Sequence, residues 1–231
     1  ARYGYLRNLK APAEGLPVGF TVAGTGARQM VGMTCSACHT RQIEVKGTAY
    51  RIDGGPAIVD FQAFLADLDR AVGPLTSDDA AFDAFAKQIL GANPPPGARD
   101  ALLAAVKEWY EPYHTLIERA LPKDTWGPAR LDAVSMIFNR LTGLDIGTAP
   151  PYLIPDNIKA AHAPVRYPFL WNAARQNKTQ WPGFAANGND LLGLARNVGE
   201  VYGVFATFHP QKSKFHLLGM DYLKINSANF H

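Results

Sequence analysis

Cysteine is scarce: only Cys35 and Cys38 occur in 231 residues, which rules out a disulfide framework. The fold must therefore rest on an ordinary core, and a composition 47% hydrophobic and 19% charged can supply one. Long apolar runs are missing too, so no membrane span of about 20 residues is expected. Basic runs are equally absent. With 23 Lys and Arg against 20 Asp and Glu, the net charge is +3, and no cluster resembles a surface that tracks phosphates, so nucleic acid is not an expected partner. The opening residues Ala1-Arg-Tyr-Gly-Tyr-Leu lack the basic-then-apolar layout of a secretion signal, as in a mature or trimmed chain. No His or Met stands between His39 and His114.

What is present reads as one mainly α domain over residues 1–231, with long irregular loops and little strand. Residues 1–34 are glycine-rich and show no helical period, which predicts extended or irregular chain. From Ile58 to Val72 the apolar positions Ile58, Phe61, Phe64, Leu65, Leu68 and Val72 share one helical face, stopped by Gly73-Pro74. Asp78-Asp79 opens a second helix that ends at Gly91. A third is predicted from about Ala98 to Leu121, with a kink or break near Glu111 because Pro112 removes a backbone donor. Pro128 is placed to start a fourth, closed by Gly143. Residues 144–188 are proline-rich and aperiodic, a loop long enough to suggest function. Asn189 or Asp190 then caps a last helix running to about Phe208.

The chemistry centres on Cys35-Ser-Ala-Cys38-His39, the C-x-x-C-H pattern of covalent haem attachment. Two thiols three residues apart can add to the two vinyl groups on one porphyrin edge, and the following imidazole then reaches iron as proximal ligand. A redox C-x-x-C or half a zinc site is the competing reading. No second cysteine pair exists to complete a zinc site, and no thioredoxin-like strand is read before Cys35. The expected cofactor is one haem c on Cys35 and Cys38.

The sixth iron position separates a carrier from an enzyme, since a carrier needs a strong distal ligand and peroxide or oxygen chemistry an open side. Met30 and Met33 lie close to the attachment loop. Met136 sits among Val134, Ile137 and Phe138, as a core filler would. His209, His216 and His231 fall in or near a lysine-containing tail, and His114 follows a proline within a helix. His162, opening the long loop, is the preferred distal candidate.

The run Pro164-Val-Arg166-Tyr-Pro168-Phe-Leu-Trp171-Asn172-Ala173, followed by Gln180-Trp181-Pro-Gly183, resembles a block of the bacterial di-haem cytochrome c peroxidases. Arg51-Ile-Asp53-Gly54-Gly55-Pro56 and Leu194-Ala-Arg196-Asn197-Val-Gly199-Glu200 resemble more closely the branch that includes the rubber oxygenases. The resemblance spans about residues 18–208. It implies a c-type cytochrome-like helical haem domain that reduces peroxide or activates oxygen, with the Arg166-to-Trp181 block walling the distal side. The peroxidases carry a distal histidine shortly after the first haem motif, and Tyr50 to Val59 contains none, which favours an open site. Members also carry a second C-x-x-C-H. This chain reaches His231 without one, so a second haem is expected on a further C-terminal part or a partner chain.

Trp171 and Trp181 are candidates to relay an electron or shape access, although aromatics in such loops also simply pack. Arg196 and Glu200 stand four apart on the last helix, a spacing that suits a surface ion pair and equally an acid–base near peroxide. Arg166 is a candidate to steady a haem propionate. The combined expectation is a periplasmic haem enzyme fed by a small redox protein or second haem domain, acting on peroxide, oxygen or a small organic substrate. The alternative is an electron-transfer cytochrome ligated on both faces by His39 and His162.

Overall fold

The computed structural model describes residues 2–10, 15–25, 29–148, 151–179, 183, 185–194, 196–197, 211–212 and 220–221. The architecture is mostly helical, with small two-stranded sheets. Strand β1 (Phe20–Ala23) pairs antiparallel with β2 (Met30–Met33), directly before the cysteine motif. Directly after it, β3 (Thr40–Val45) and β4 (Thr48–Asp53) form a second hairpin. Its two-residue turn, Lys46-Gly47, takes positive φ at both positions, the geometry that matches strand twist. The motif is thus framed by hairpins, where the sequence reading expected little strand. The signal was present in the alternation Ile43, Val45 and Tyr50, Ile52 around that Lys-Gly turn.

Helices follow. Asp60 caps α1 (Phe61–Val72), its Oδ1 accepting from Ala63 N at 3.0 Å. Asp78 caps α2 (Asp79–Leu90), accepting from Ala80 and Ala81, and Gly91 ends it at φ 78°. Helix α3 (Ala98–Ala120) packs against both and against α4 (Ala133–Gly143). It continues through Pro112 without a break, its far end held by burial of Leu116, Ile117 and Ala120. Helix α4 does not start at Pro128. Ala129 at φ 63° and β5 (Arg130–Leu131), paired with β6 (Val165–Arg166), take those residues out of helical geometry, and Asp132 caps instead.

Residues 144–188 are largely irregular, as expected, and are pinned by buried polar side chains. Asn139 donates to Lys159 O at 2.6 Å and accepts from Lys159 N at 2.9 Å. Asp132, only 2% exposed, caps α4 with one oxygen and accepts from Ala163 N with the other. Gln62 holds Pro122 and Trp126 in the same way. Strands β7 (Lys178–Thr179) and β8 (Ala185–Ala186) close the loop, and a further pair joins β9 (Gln211–Lys212) to β10 (Met220–Asp221). Asn189 caps the helical residues 190–194 and 196–197, accepting from Leu192 N at 3.1 Å. No helix among the described residues is long and apolar enough to cross a membrane.

Candidate functional site

The motif winds into one 3-10 turn, Cys35–Ala37, because successive amides fold back: Ala37 N donates to Thr34 O, and Cys38 N and His39 N both donate to Cys35 O. The hairpin β1–β2 anchors its entry through Thr34 N to Gly19 O at 2.7 Å. Gly19, at φ 84°, lies so close to the Ala37 backbone that a Cβ there would overlap it. The turn leaves Cys35 exposed and Cys38 half-buried, both as free thiols.

The His39 ring is oriented from 129 positions away in sequence, its Nδ1 lying 2.9 Å from Pro168 O. A carbonyl only accepts, so Nδ1 carries the proton and, in the neutral ring, Nε2 carries the lone pair. The same loop docks at further points. Gly54 N donates to His39 O, Leu170 N to Gly54 O, and the Trp171 indole N–H to Asp53 O at 2.8 Å. Three separated stretches therefore meet: 35–39, 53–57 and 167–171. Tyr167 stands edge-on to the His39 ring at 6.2 Å and belongs to a buried cluster with Ala57 and Val59, against which Tyr5, Cys38 and Leu131 pack.

Burial pushes the Cys38 thiol up to about 11; the Tyr167 hydroxyl works against this, and Cys35 adds to it. Tyr5 and Tyr167 are shifted upward as well, chiefly by burial and then by Cys38. Both hydroxyls are buried with no hydrogen-bond partner among the described residues.

Of the other residues singled out, Trp171 is at the site, stacked on Phe169 at 5.4 Å and 47% exposed. Arg166 is exposed on β6. These positions put the 167–171 block on the Nδ1 side of His39. Strand β6, paired with β5, leads directly to Pro168 at the imidazole. His162 is exposed, with its flanks fixed: Ala161 N donates to Ala120 O and Ala163 N to Asp132. His114 is held elsewhere, its Nδ1 donating to Asp69 Oδ1 at 2.9 Å between α3 and α1. Met136 packs against Leu116, Ala120 and Ile158, as a core filler. Arg196 reaches Asn187 O at 3.4 Å, while Glu200 and Trp181 lie outside the described residues, as do His209, His216 and His231. The roles of Pro168, Tyr167 and Gly54 at the imidazole were not read from sequence; only the juxtaposition of the three stretches exposes them.

Among the described residues, no group of three or more His, Cys, Asp or Glu could hold a metal ion. No family model matches the chain, and no solved structure matches it. It is similar to a protein of Sinorhizobium fredii (strain NBRC 101917 / NGR234) described as uncharacterized protein y4iJ, with 30% identity over 236 residues. That alignment covers 92% of this chain and 37% of the other, so the chain spans little more than a third of the length of the curated relative it matches.

Proposed function

We propose that this chain carries one haem covalently on Cys35 and Cys38, with His39 as axial ligand, and acts as a c-type haem protein of the di-haem peroxidase superfamily on peroxide or oxygen. The observation that carries the reading is the bond from His39 Nδ1 to Pro168 O, 2.9 Å. Histidines that bind iron commonly donate their other ring nitrogen to a carbonyl, which fixes the tautomer and strengthens the ligand. The residues present fit the group: two thiols at attachment spacing, an imidazole oriented with its lone pair on Nε2, and apolar Phe169 and Leu170, 57% and 41% exposed, directly after Pro168 in the chain. A redox dithiol fits less well, because the motif winds into a single 3-10 turn that leads into β3 and opens no α-helix whose N-terminus would lower a thiol.

Bound there, the haem would supply an iron centre able to exchange electrons and to act on peroxide or oxygen. The chain's own part is to orient the imidazole through Pro168 and to register the motif against 53–57. His114 and Met136 are both engaged elsewhere, which supports an open or weakly ligated distal side. Trp171, Trp181, Arg196, Glu200 and Arg166 remain candidates for electron relay, proton transfer and propionate contact. Electrons would come from a small redox protein or a second haem domain, and a periplasmic location follows from covalent attachment outside the cytoplasmic membrane.

The test is expression of the chain with a covalent haem-attachment system, followed by visible spectroscopy. Haem that survives denaturation, is high-spin when oxidised and binds cyanide or carbon monoxide quickly is the expected result; His39→Ala abolishes that species. Absence of covalent haem sinks the reading. A purely low-spin spectrum that ignores both ligands and changes on His162→Gly would instead make the chain an electron carrier.

A further inference from the structure

We propose that Trp171 is a positioning residue for His39: its indole N–H, bonded to Asp53, latches a closed circuit of hydrogen bonds that aims the Pro168 carbonyl at the imidazole. The inference rests on the haem reading above and gives Trp171 a part other than electron relay. His39 is tied to the loop by its ring and by its backbone. Its Nδ1 donates to Pro168 O at 2.9 Å, and its own carbonyl accepts from Gly54 N at 2.9 Å. Gly54 O in turn accepts from Leu170 N at 2.9 Å, just beyond Pro168, which closes the circuit.

The carbonyl is aimed from downstream. A proline ring fixes φ, and Tyr167 before it is buried directly after β6, so the direction of Pro168 O turns on ψ alone and hence on where the following residues are held. Burial does little to hold them, because Phe169, Leu170 and Trp171 are all exposed. Hydrogen bonds do: Leu170 N to Gly54 O and the Trp171 indole to Asp53 O, the latter at 2.8 Å. The indole lies against Gly54, which has φ 75° and no Cβ to keep it away. The donor is thus the informative part of Trp171. Its ring stacks only on Phe169, which is itself exposed and anchors nothing.

The test compares Trp171→Phe, which keeps a ring and loses the donor, with Trp171→Gln, which loses the ring and keeps an N–H at the same bond count from Cα. In the full chain without haem and with its thiols reduced, nitrogen-15 NMR of labelled histidine at one mildly alkaline pH reads the His39 tautomer. The wild type is expected to hold the proton on Nδ1. Trp171→Phe is expected to shift it toward the Nε2–H form that a free neutral imidazole prefers, and Trp171→Gln to keep the wild-type tautomer. An unshifted Phe variant overturns the proposal, and so does a Gln variant shifted as far as Phe, which is what a packing role of the ring produces. Hydrogen exchange on the wild type needs no substitution to fold: the Trp171 indole N–H is expected to exchange more slowly than that of exposed Trp109, and equal rates overturn the latch. In the haem-loaded chain the reduction potential is expected to rise in Trp171→Phe, because a weaker bond at Nδ1 leaves a weaker ligand for ferric iron, and to stay near wild type in Trp171→Gln. An electron relay would leave the potential unmoved in both variants, and that result also overturns the proposal. A wild-type chain that takes no haem defeats the haem reading, while the tautomer and exchange measurements still decide the latch.

Discussion

Cys38 carries a pH dependence whose sign follows from its burial. Its thiol is raised from 9.0 to about 11, so between these values the unfolded chain has lost a proton that the folded chain keeps. Stability gained from the neutral thiol is full below pH 9 and is lost as the pH rises to about 11, on the order of 2 kcal/mol. Tyr5 and Tyr167, also raised, extend the loss above pH 10. Urea unfolding across this range is expected to show the decline, and Cys38→Ala to remove its first part. In a haem-loaded chain the thioether cannot ionise, so that part is expected to vanish there too.

At the scale of elements, the long loop owes its order to side chains more than to backbone ladders. Asn139 uses both ends of its amide on Lys159, so Asn139→Asp would set an acceptor against the Lys159 carbonyl. A loss of about 2–3 kcal/mol is expected in denaturant unfolding, larger than for Thr142→Ala on the exposed side of α4. Helices α1 to α3 were legible from their apolar period, with Asp78 where the α2 stripe begins and Gly91 where it ends; α1 starts at Phe61 behind its cap Asp60, three residues after the Ile58 at which the stripe begins. The start of α4 was not. Pro128 is a good first-turn residue by local rules, but β5 must pair with β6, and that long-range ladder overrides the local preference. The β3–β4 hairpin was readable in principle from its alternation and Lys46-Gly47.

Across the whole molecule, the site depends on contacts between segments more than a hundred residues apart. Gly54 lies at their crossing: it has φ 75°, and a Cβ would come 3.1 Å from the Trp171 indole nitrogen. Gly54→Ala is expected to cost about 2 kcal/mol in urea unfolding and to lower the yield of covalent haem, read as haem absorbance per protein mass. Trp171→Phe, which loses the bond to Asp53 O and part of the indole's packing, is expected to cost about 1–2 kcal/mol in urea unfolding. The sequence alone determined the motif, since Cys35, Cys38 and His39 are neighbours and their spacing is a local property. It also determined most helices, because caps and apolar period act within a few turns. Only the tertiary structure decided which nitrogen of His39 carries the proton, which side of that ring the 167–171 block occupies, and that Cys38 packs against the cluster of Ala57, Val59 and Tyr167. Those facts rest on β6, Pro168 and Gly54 meeting in space, and no local spacing encodes such a meeting.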